Sequence, residues 1–421
     1  MKIPAILGEA AMKNEDWSAL RHEAEILFTP GTSIKEQELF AGRSQQIQKL
    51  TQRIRLAGSH AVIYGERGVG KSSLVSIFKY VADGSKSDIQ YIRVAATQGD
   101  KFRDIILKIF KRMTVLDGEN KKRLADYYDD RDITPDDVLL EMQNFAVSTL
   151  PIIVIDEFDR ISDNETKTKI SDTLKLLSDE SVGATFFIVG VSDAVEDLLR
   201  GHASIGRAIA EIEMPRMSDD EIIDIISVRL KRTGMKISND AIWSCVFVCK
   251  GLPHYAHLIG LHAMQAACDR RSLSITEKDV EEATDRALSE ANHSIKEAYE
   301  NAVYSERRDN IFREVLTACA LAKKDPLGRF NAKAVATKLK EITGQDYAVP
   351  AFSYHLNEFC EQGRGGILQK YGQTRKFTFR FSEALMEPYV ILEALRQSIL
   401  NKTDVQKSQP KRQTELFSTE Q

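Results

Sequence analysis

Gly65-Glu66-Arg67-Gly68-Val69-Gly70-Lys71-Ser72 fits the spacing G-x-x-x-x-G-K-[ST] at every fixed position, and Ser73 follows. The glycines tolerate positive φ and leave no side chain between backbone and ligand, so consecutive N–H groups can turn toward one anion. Lys71 adds a point charge suited to β and γ phosphates, and the Ser72 hydroxyl suits Mg²⁺. A helix opening near Gly70 would add its positive end. The chemistry is that of a bound nucleotide phosphate. A second set of residues suits hydrolysis: Asp156-Glu157 comes directly after the apolar run Pro151–Ile155. Asp156 can hold Mg²⁺ through water, and Glu157 can orient or deprotonate an attacking water. Asp159 reads as a solvated or helix-capping residue.

These groups need elements to hold them. Ser59–Tyr64 reads as a strand and Ser73–Tyr80 as a helix, so the glycine loop sits in a strand–loop–helix setting. Pro151–Ile155 is apolar throughout, as expected of a strand buried on both faces of a parallel sheet, and its carboxylates then fall where such sheets place ligands. Gln90–Ala95 and Thr185–Val191 read as further strands. Ser192, at the end of the latter, either reaches the γ-phosphate or caps the helix Ala194–Arg200. Arg207, just before the strand Ile209–Met214, suits either a finger reaching a neighbouring subunit's phosphate or a surface ion pair. The stretch from Asp100 to Ser148 reads as mostly helical. Asp16–Leu27 and Ser44–Ala57 are predicted helices ahead of the loop.

From Ser218 the apolar period changes to 3.6, with helices expected over 219–232, 238–249, 253–270 and 276–288. Ser218-Asp219-Asp220-Glu221 and Thr276-Glu277-Lys278-Asp279 carry helix-start signals. Pro253 follows Gly251, the usual glycine-then-proline order at a helical corner, and puts His254 at a helix N-terminus. Over 306–398 the pattern gives helices Ile311–Ala322, Ala332–Ile342 and Pro350–Glu361, then alternating strands Gly366–Lys370 and Lys376–Phe381. Three helices and a hairpin form a winged-helix arrangement. There Lys and Arg outnumber Asp and Glu by 15 to 11. The third helix carries Ser353, His355 and Asn357 but also Glu358 and Glu361, while the wing carries Arg364, Lys370, Arg375 and Lys376. Such a surface suits phosphate contacts or a protein partner.

Whole-chain composition is neutral on partners: 58 Lys+Arg face 62 Asp+Glu, a net charge of −4, so any basic surface is local. The five cysteines form no C-x-x-C pair, and Cys245 and Cys249 read as core. The N-terminal apolar run stops at Gly8-Glu9, and Pro151–Ile155 and Thr185–Val191 are too short to cross a bilayer. A cytoplasmic protein with no membrane partner is expected.

Taken in order, the phosphate loop, Asp156-Glu157, Ser192, Arg207, the helical stretch and the winged helix resemble an AAA+ ATPase of the origin-recognition and initiator-like clade, of the bacterial type. The resemblance covers roughly 35–398. It implies a P-loop NTPase parallel sheet (an α/β fold) over 35–216, a helical lid over 217–290, a helical connector over 291–305 and a winged helix over 306–398. Residues 1–34 form an N-terminal extension, and 399–421 are expected to be a disordered tail. By the resemblance, Lys71 and Ser72 match Walker A, Asp156 and Glu157 match Walker B, Ser192 matches sensor 1 and Arg207 the arginine finger. Phe40, in Phe40-Ala41-Gly42-Arg43, would line the adenine pocket. The initiator clade has an arginine on the lid helix where this chain has His254. Gly251-Leu252-Pro253 resembles instead the signalling NTPases of the STAND class, which would place Pro253 and His254 against the nucleotide. Arg270 and Arg271 lie about 24 Å along that helix and do not substitute. The implied cofactors are ATP or ADP and Mg²⁺, and the implied function is a slow ATPase switch. Its partners would be a second copy or related AAA+ subunit and double-stranded DNA. The alternative is a signalling or adaptor ATPase whose winged helix docks an effector protein.

Overall fold

The computed structural model describes residues 12–408, except 33–36, 84–88, 118–119, 147–148, 193–194, 200–205, 207, 308, 326–327 and 373–375. The chain divides into two compact units, Thr32–Arg216 and Met1–Gly31 together with Met217–Gln421. Along the chain the strands are β1 His60–Tyr64, β2 Ile89–Ala95, β3 Thr114–Asp117, β4 Asn120–Arg123, β5 Leu150–Asp156, β6 Thr185–Val189, β7 Ile209–Glu213, β8 Lys236–Ile237, β9 Ser274–Ile275, β10 Phe330–Asn331, β11 Leu368–Tyr371 and β12 Thr378–Phe381.

In Thr32–Arg216, five strands form a sheet in the order β2-β5-β6-β1-β7. Every pairing is parallel, with Ala95 opposite Asp156, Ile155 opposite Ile188 and Ile63 opposite Val189. Parallel strands place their C-terminal ends along one edge, so the chain segments leaving β1, β5 and β6 are neighbours there. The apolar runs read from the sequence are those buried strands: Pro151–Asp156 and Thr185–Val189 are buried at every position. Phe186 shares a core with Ile105, Met142 and Leu174, from the helices Phe102–Phe110, Pro135–Phe145 and Asn164–Asp179. Phe187 points to the other face, where its ring meets Phe78 of the helix Lys71–Asp83 at 5.3 Å. His60 is buried in β1; its Nδ1 accepts from Phe186 N at 3.2 Å and its Nε2 donates to the Leu174 carbonyl at 3.1 Å. Burial holds its pKa down at about 4, against the weaker opposing pull of the Leu174 bond.

One expectation is corrected here. The stretch read as mostly helical contains the antiparallel pair β3–β4. Asn120–Arg123 is polar and wholly exposed, so it shows no two-residue apolar alternation by which a strand is read.

In the second unit, helices Asp219–Thr233, Asn239–Cys249, Pro253–Asp269 and Glu277–Glu290 pack together. Ser218 and Glu221 cap each other reciprocally, at 2.9 Å and 3.2 Å. Cys245 and Cys249 are buried in this core as free thiols. The helix Asn14–Leu27 belongs to this unit, and the residues after it are gripped one by one. Arg229, fully buried, donates to the Leu27 carbonyl at 2.8 Å. Thr29 N donates to His257 Nδ1 at 3.0 Å, and His254 Nδ1 donates to the Pro30 carbonyl at 2.8 Å. Gly260 leaves the space that the Phe28 ring fills. Further on, helices Phe312–Leu321, Ala332–Thr343 and Val349–Glu358 join a three-stranded sheet, β10-β12-β11. The two-residue β10 is too short to leave a periodic signal.

The expectation of disorder from 399 onward is corrected for Lys402–Ser408, which is helical. Its one apolar residue, Val405, is buried, which compensates a polar sequence through tertiary packing. Among the described residues no helix is long and apolar enough to cross a membrane.

Candidate functional site

The loop after β1 has the shape its glycines allow. Gly65, Gly68 and Gly70 have φ of 143°, 85° and 97°. A Cβ at Gly65 would lie 2.5 Å from the Met214 carbonyl oxygen, so no larger residue fits. Val69 is fully buried and anchors the loop from beneath. Lys71 opens the helix Lys71–Asp83 and folds back over the loop, donating to the carbonyls of Gly65 at 2.9 Å and Glu66 at 2.7 Å. Burial lowers its pKa to about 8, opposed by the nearby charges of Asp159, Asp156 and Glu66. An ammonium so desolvated gains strongly from an incoming polyanion.

Ser72, one residue on, donates to Asp156 Oδ2 at 3.0 Å. The two oxygens converge from the loop helix and from the end of β5. Hard oxygen donors of this kind fit Mg²⁺, which retains several waters and takes its remaining ligands from phosphates. Among the described residues no group of three His, Cys, Asp or Glu gathers into a separate metal site.

Glu157 has φ +56°, an uncommon conformation for a residue with a side chain. Its N–H donates to Asp156 Oδ1 at 2.9 Å, and its carboxylate accepts from Arg160 at 2.7 Å while remaining about half exposed. Ser192 pairs with Gly65 through an isolated antiparallel bridge, which brings the end of β6 against the loop. Asp159 is solvated as read, and it makes one further bond. It is exposed, but it accepts from Val191 N at 2.8 Å and so joins the turn after β5 to the end of β6.

Two neighbours, Arg93 and Arg216, carried no signal of their own in the sequence. Arg43, buried and left-handed, donates to the Val69 carbonyl at 3.0 Å and the Pro215 carbonyl at 2.6 Å. Its place in Phe40-Ala41-Gly42-Arg43 was the available clue. Glu66 accepts from Arg216 at 2.8 Å, and Arg67 is exposed. Arg93 on β2 is bonded to Asp156. Phe40 is half-buried in this unit. Pro253 and His254 lie in the other unit, Pro253 buried and His254 bonded to Pro30 as described. Arg207 lies outside the described residues.

On the helix Val349–Glu358, Tyr354 and Asn357 are exposed and His355 is half-buried against Phe312 at 4.5 Å. Arg364 is committed to internal contacts, with the Tyr304 carbonyl, Glu358 at 3.4 Å and the Phe312 ring at 4.3 Å. Lys370 lies 3.9 Å from the Phe377 ring and donates to Asn357 at 2.8 Å. Lys376 is exposed, and Arg375 lies outside the described residues.

Residues 39–188 match the family model of the AAA ATPase domain, a stretch that holds the loop, Asp156 and Glu157. The Walker-type ATPase of Pyrococcus abyssi is similar in structure at a TM-score of 0.53 and 14% identity, covering 87% of this chain and 99% of that one. The ORC2 protein of Aeropyrum pernix, solved as ADPNP and ADP complexes, gives a TM-score of 0.51 at 14% identity and covers 90% of this chain and 97% of that one. By sequence, the chain is 24% identical over 283 residues to an uncharacterized HTH-type transcriptional regulator of Methanocaldococcus jannaschii, covering 58% of this chain and 68% of the relative. At these identities the structural likeness establishes the fold alone, a parallel central sheet with helices of the P-loop NTPase kind.

Proposed function

We propose that this protein is an AAA+ switch that binds ATP, hydrolyses it slowly, assembles with a second AAA+ subunit and engages double-stranded DNA through residues 306–398. The observation that carries the nucleotide part is the convergence of Lys71, Ser72 and Asp156 at the shared edge of β1 and β5. The N–H groups of the loop and Lys71 hold the phosphates, with Phe40 as a candidate contact to the nucleotide. Ser72 and Asp156 would hold magnesium, which would neutralise phosphate charge. Glu157 accepts the proton of the attacking water, Ser192 orients the γ-phosphate, and Arg207 of a neighbouring copy meets it. ADPNP and ADP complexes of the Aeropyrum pernix relative support a nucleotide as the ligand.

Lys71→Ala removes the buried cation from the loop and is expected to abolish nucleotide binding in a fluorescent-ADP titration. Retained affinity would overturn the site. For DNA, log affinity is expected to fall linearly with log salt, and Lys370→Glu with Lys376→Glu to flatten the slope. No binding at low salt would remove DNA from the reading.

A second reading has its own support. The helix Val349–Glu358 carries no Lys or Arg and exposes Tyr354, while Lys338 and Lys340 are paired with Glu341 and Asp346 at 2.8 Å and 2.6 Å. Such a face suits an effector protein, as in a signalling or adaptor ATPase. Absence of salt-dependent DNA binding together with intact ATP turnover would favour it.

A further inference from the structure

Arg93 stands opposite Val154 in the β2–β5 pairing, two residues before Asp156. Side chains two apart on a strand share a face, so Arg93 and Asp156 point to the same side of the sheet. The Arg93 guanidinium bonds Asp156 Oδ2, the same oxygen that accepts from Ser72 at 3.0 Å. Its other amino group reaches Ser76 Oγ at 2.5 Å, and Ser76 in turn donates to the Ser72 carbonyl at 2.8 Å. Asp156 Oδ1 is taken by Glu157 N at 2.9 Å. Asp156 is 4% exposed. Both oxygens of this buried carboxylate are therefore bonded, and a permanent cation of the chain is among its partners. Arginine keeps its charge at every accessible pH.

This arrangement has a cost and a gain for the phosphate site. A neutralised Asp156 pulls less on a divalent ion, because Coulomb attraction across a few ångströms in a partly buried site is large. The guanidinium, about a third exposed, also adds positive charge at the edge where phosphates sit. We propose that Arg93 is a built-in counter-cation for Asp156 that lets the site hold nucleotide with little dependence on a divalent metal. The inference rests on the nucleotide reading given above. Functionally it describes a site suited to retaining bound nucleotide, with hydrolysis separately dependent on the metal.

The test is a titration of a fluorescent ADP analogue with the full chain, once in Mg²⁺ and once in EDTA. The wild-type constants are expected to agree within about threefold, and those of Arg93→Met to separate by about tenfold or more, the effect of one charge-assisted bond. Arg93→Lys, which keeps the charge, is expected to stay near wild type. Electron paramagnetic resonance of Mn²⁺ added to the ADP complex gives a second readout, with Arg93→Met expected to bind the ion about tenfold more tightly. If Arg93→Met does not fold, Ser76→Ala removes one of the two anchors and should widen the Mg²⁺/EDTA gap by a smaller factor. Wild type that loses ADP in EDTA, or variants with the wild-type ratio, would overturn the inference and leave the site standing. No ADP binding by wild type under either condition would overturn both.

Discussion

The Asp159 carboxylate accepts the backbone N–H of Val191 at 2.8 Å, across 32 residues of sequence. Val191 precedes Ser192, and Ser192 pairs with Gly65. The acidic turn after β5, the end of β6 and the phosphate loop are thus joined in one circuit. Gly190 lies so close to Asp159 that a Cβ there would sit 3.1 Å from the carboxylate.

Asp159→Ala is expected to release the end of β6 and misplace Ser192. Turnover should fall by about tenfold or more, since small displacements at a reacting centre are costly. ADP affinity should hold within about threefold, because the loop keeps its own bonds. Parallel turnover and titration measurements separate the two; equal losses in both would mean that Asp159 holds the loop itself.

Glu157→Gln keeps size and loses the basic oxygen. ATP binding is expected to persist while hydrolysis drops by about a hundredfold or more, the usual worth of a positioned general base. Single-turnover hydrolysis checks it. Unchanged hydrolysis would remove Glu157 from the role, and Asp159 would be the next carboxylate to test.

His60 makes stability sensitive to acid. Its folded pKa of about 4 lies below the unfolded value of 6.5, so the native state binds fewer protons between them. The stability it contributes is present above about pH 6.5 and is lost as pH falls toward 4, by about 3 kcal/mol in all. Denaturant titrations at several pH values should show this loss, and His60→Leu should flatten it.

Gly260→Ala drives a methyl group into the Phe28 ring. Overpacking of this kind costs about 1–3 kcal/mol. Phe28→Ala should also destabilise, and the double variant should lose less than the two single losses added, as expected for residues in contact. Thermal unfolding of the four proteins gives the cycle; additive losses would mean that the ring leaves its notch readily.

The readable part of this protein is contiguous in sequence. Gly65–Ser72 states its own chemistry because the ligand contacts are backbone groups and two adjacent side chains. Asp156-Glu157 was legible because a strand buried on both faces must be apolar until it ends. The helices between residues 219 and 361 and the pairing of β11 with β12 were legible by period. What the tertiary structure alone decided is which distant charges share a buried space. Arg93 meets Asp156 because β2 pairs with β5, a choice of strand order that no local pattern encodes. Arg43 reaches Val69 and Pro215 only when the sheet brings three remote segments together. His254 was read as a helix N-terminal residue facing a nucleotide, and only the fold shows that its Nδ1 holds the Pro30 carbonyl. A buried ionic or polar group takes whichever partner the packing offers, because leaving it unpaired costs several kcal/mol, about as much as a core side chain contributes. Local sequence therefore specified where phosphate chemistry could occur, and strand order determined which charges surround it.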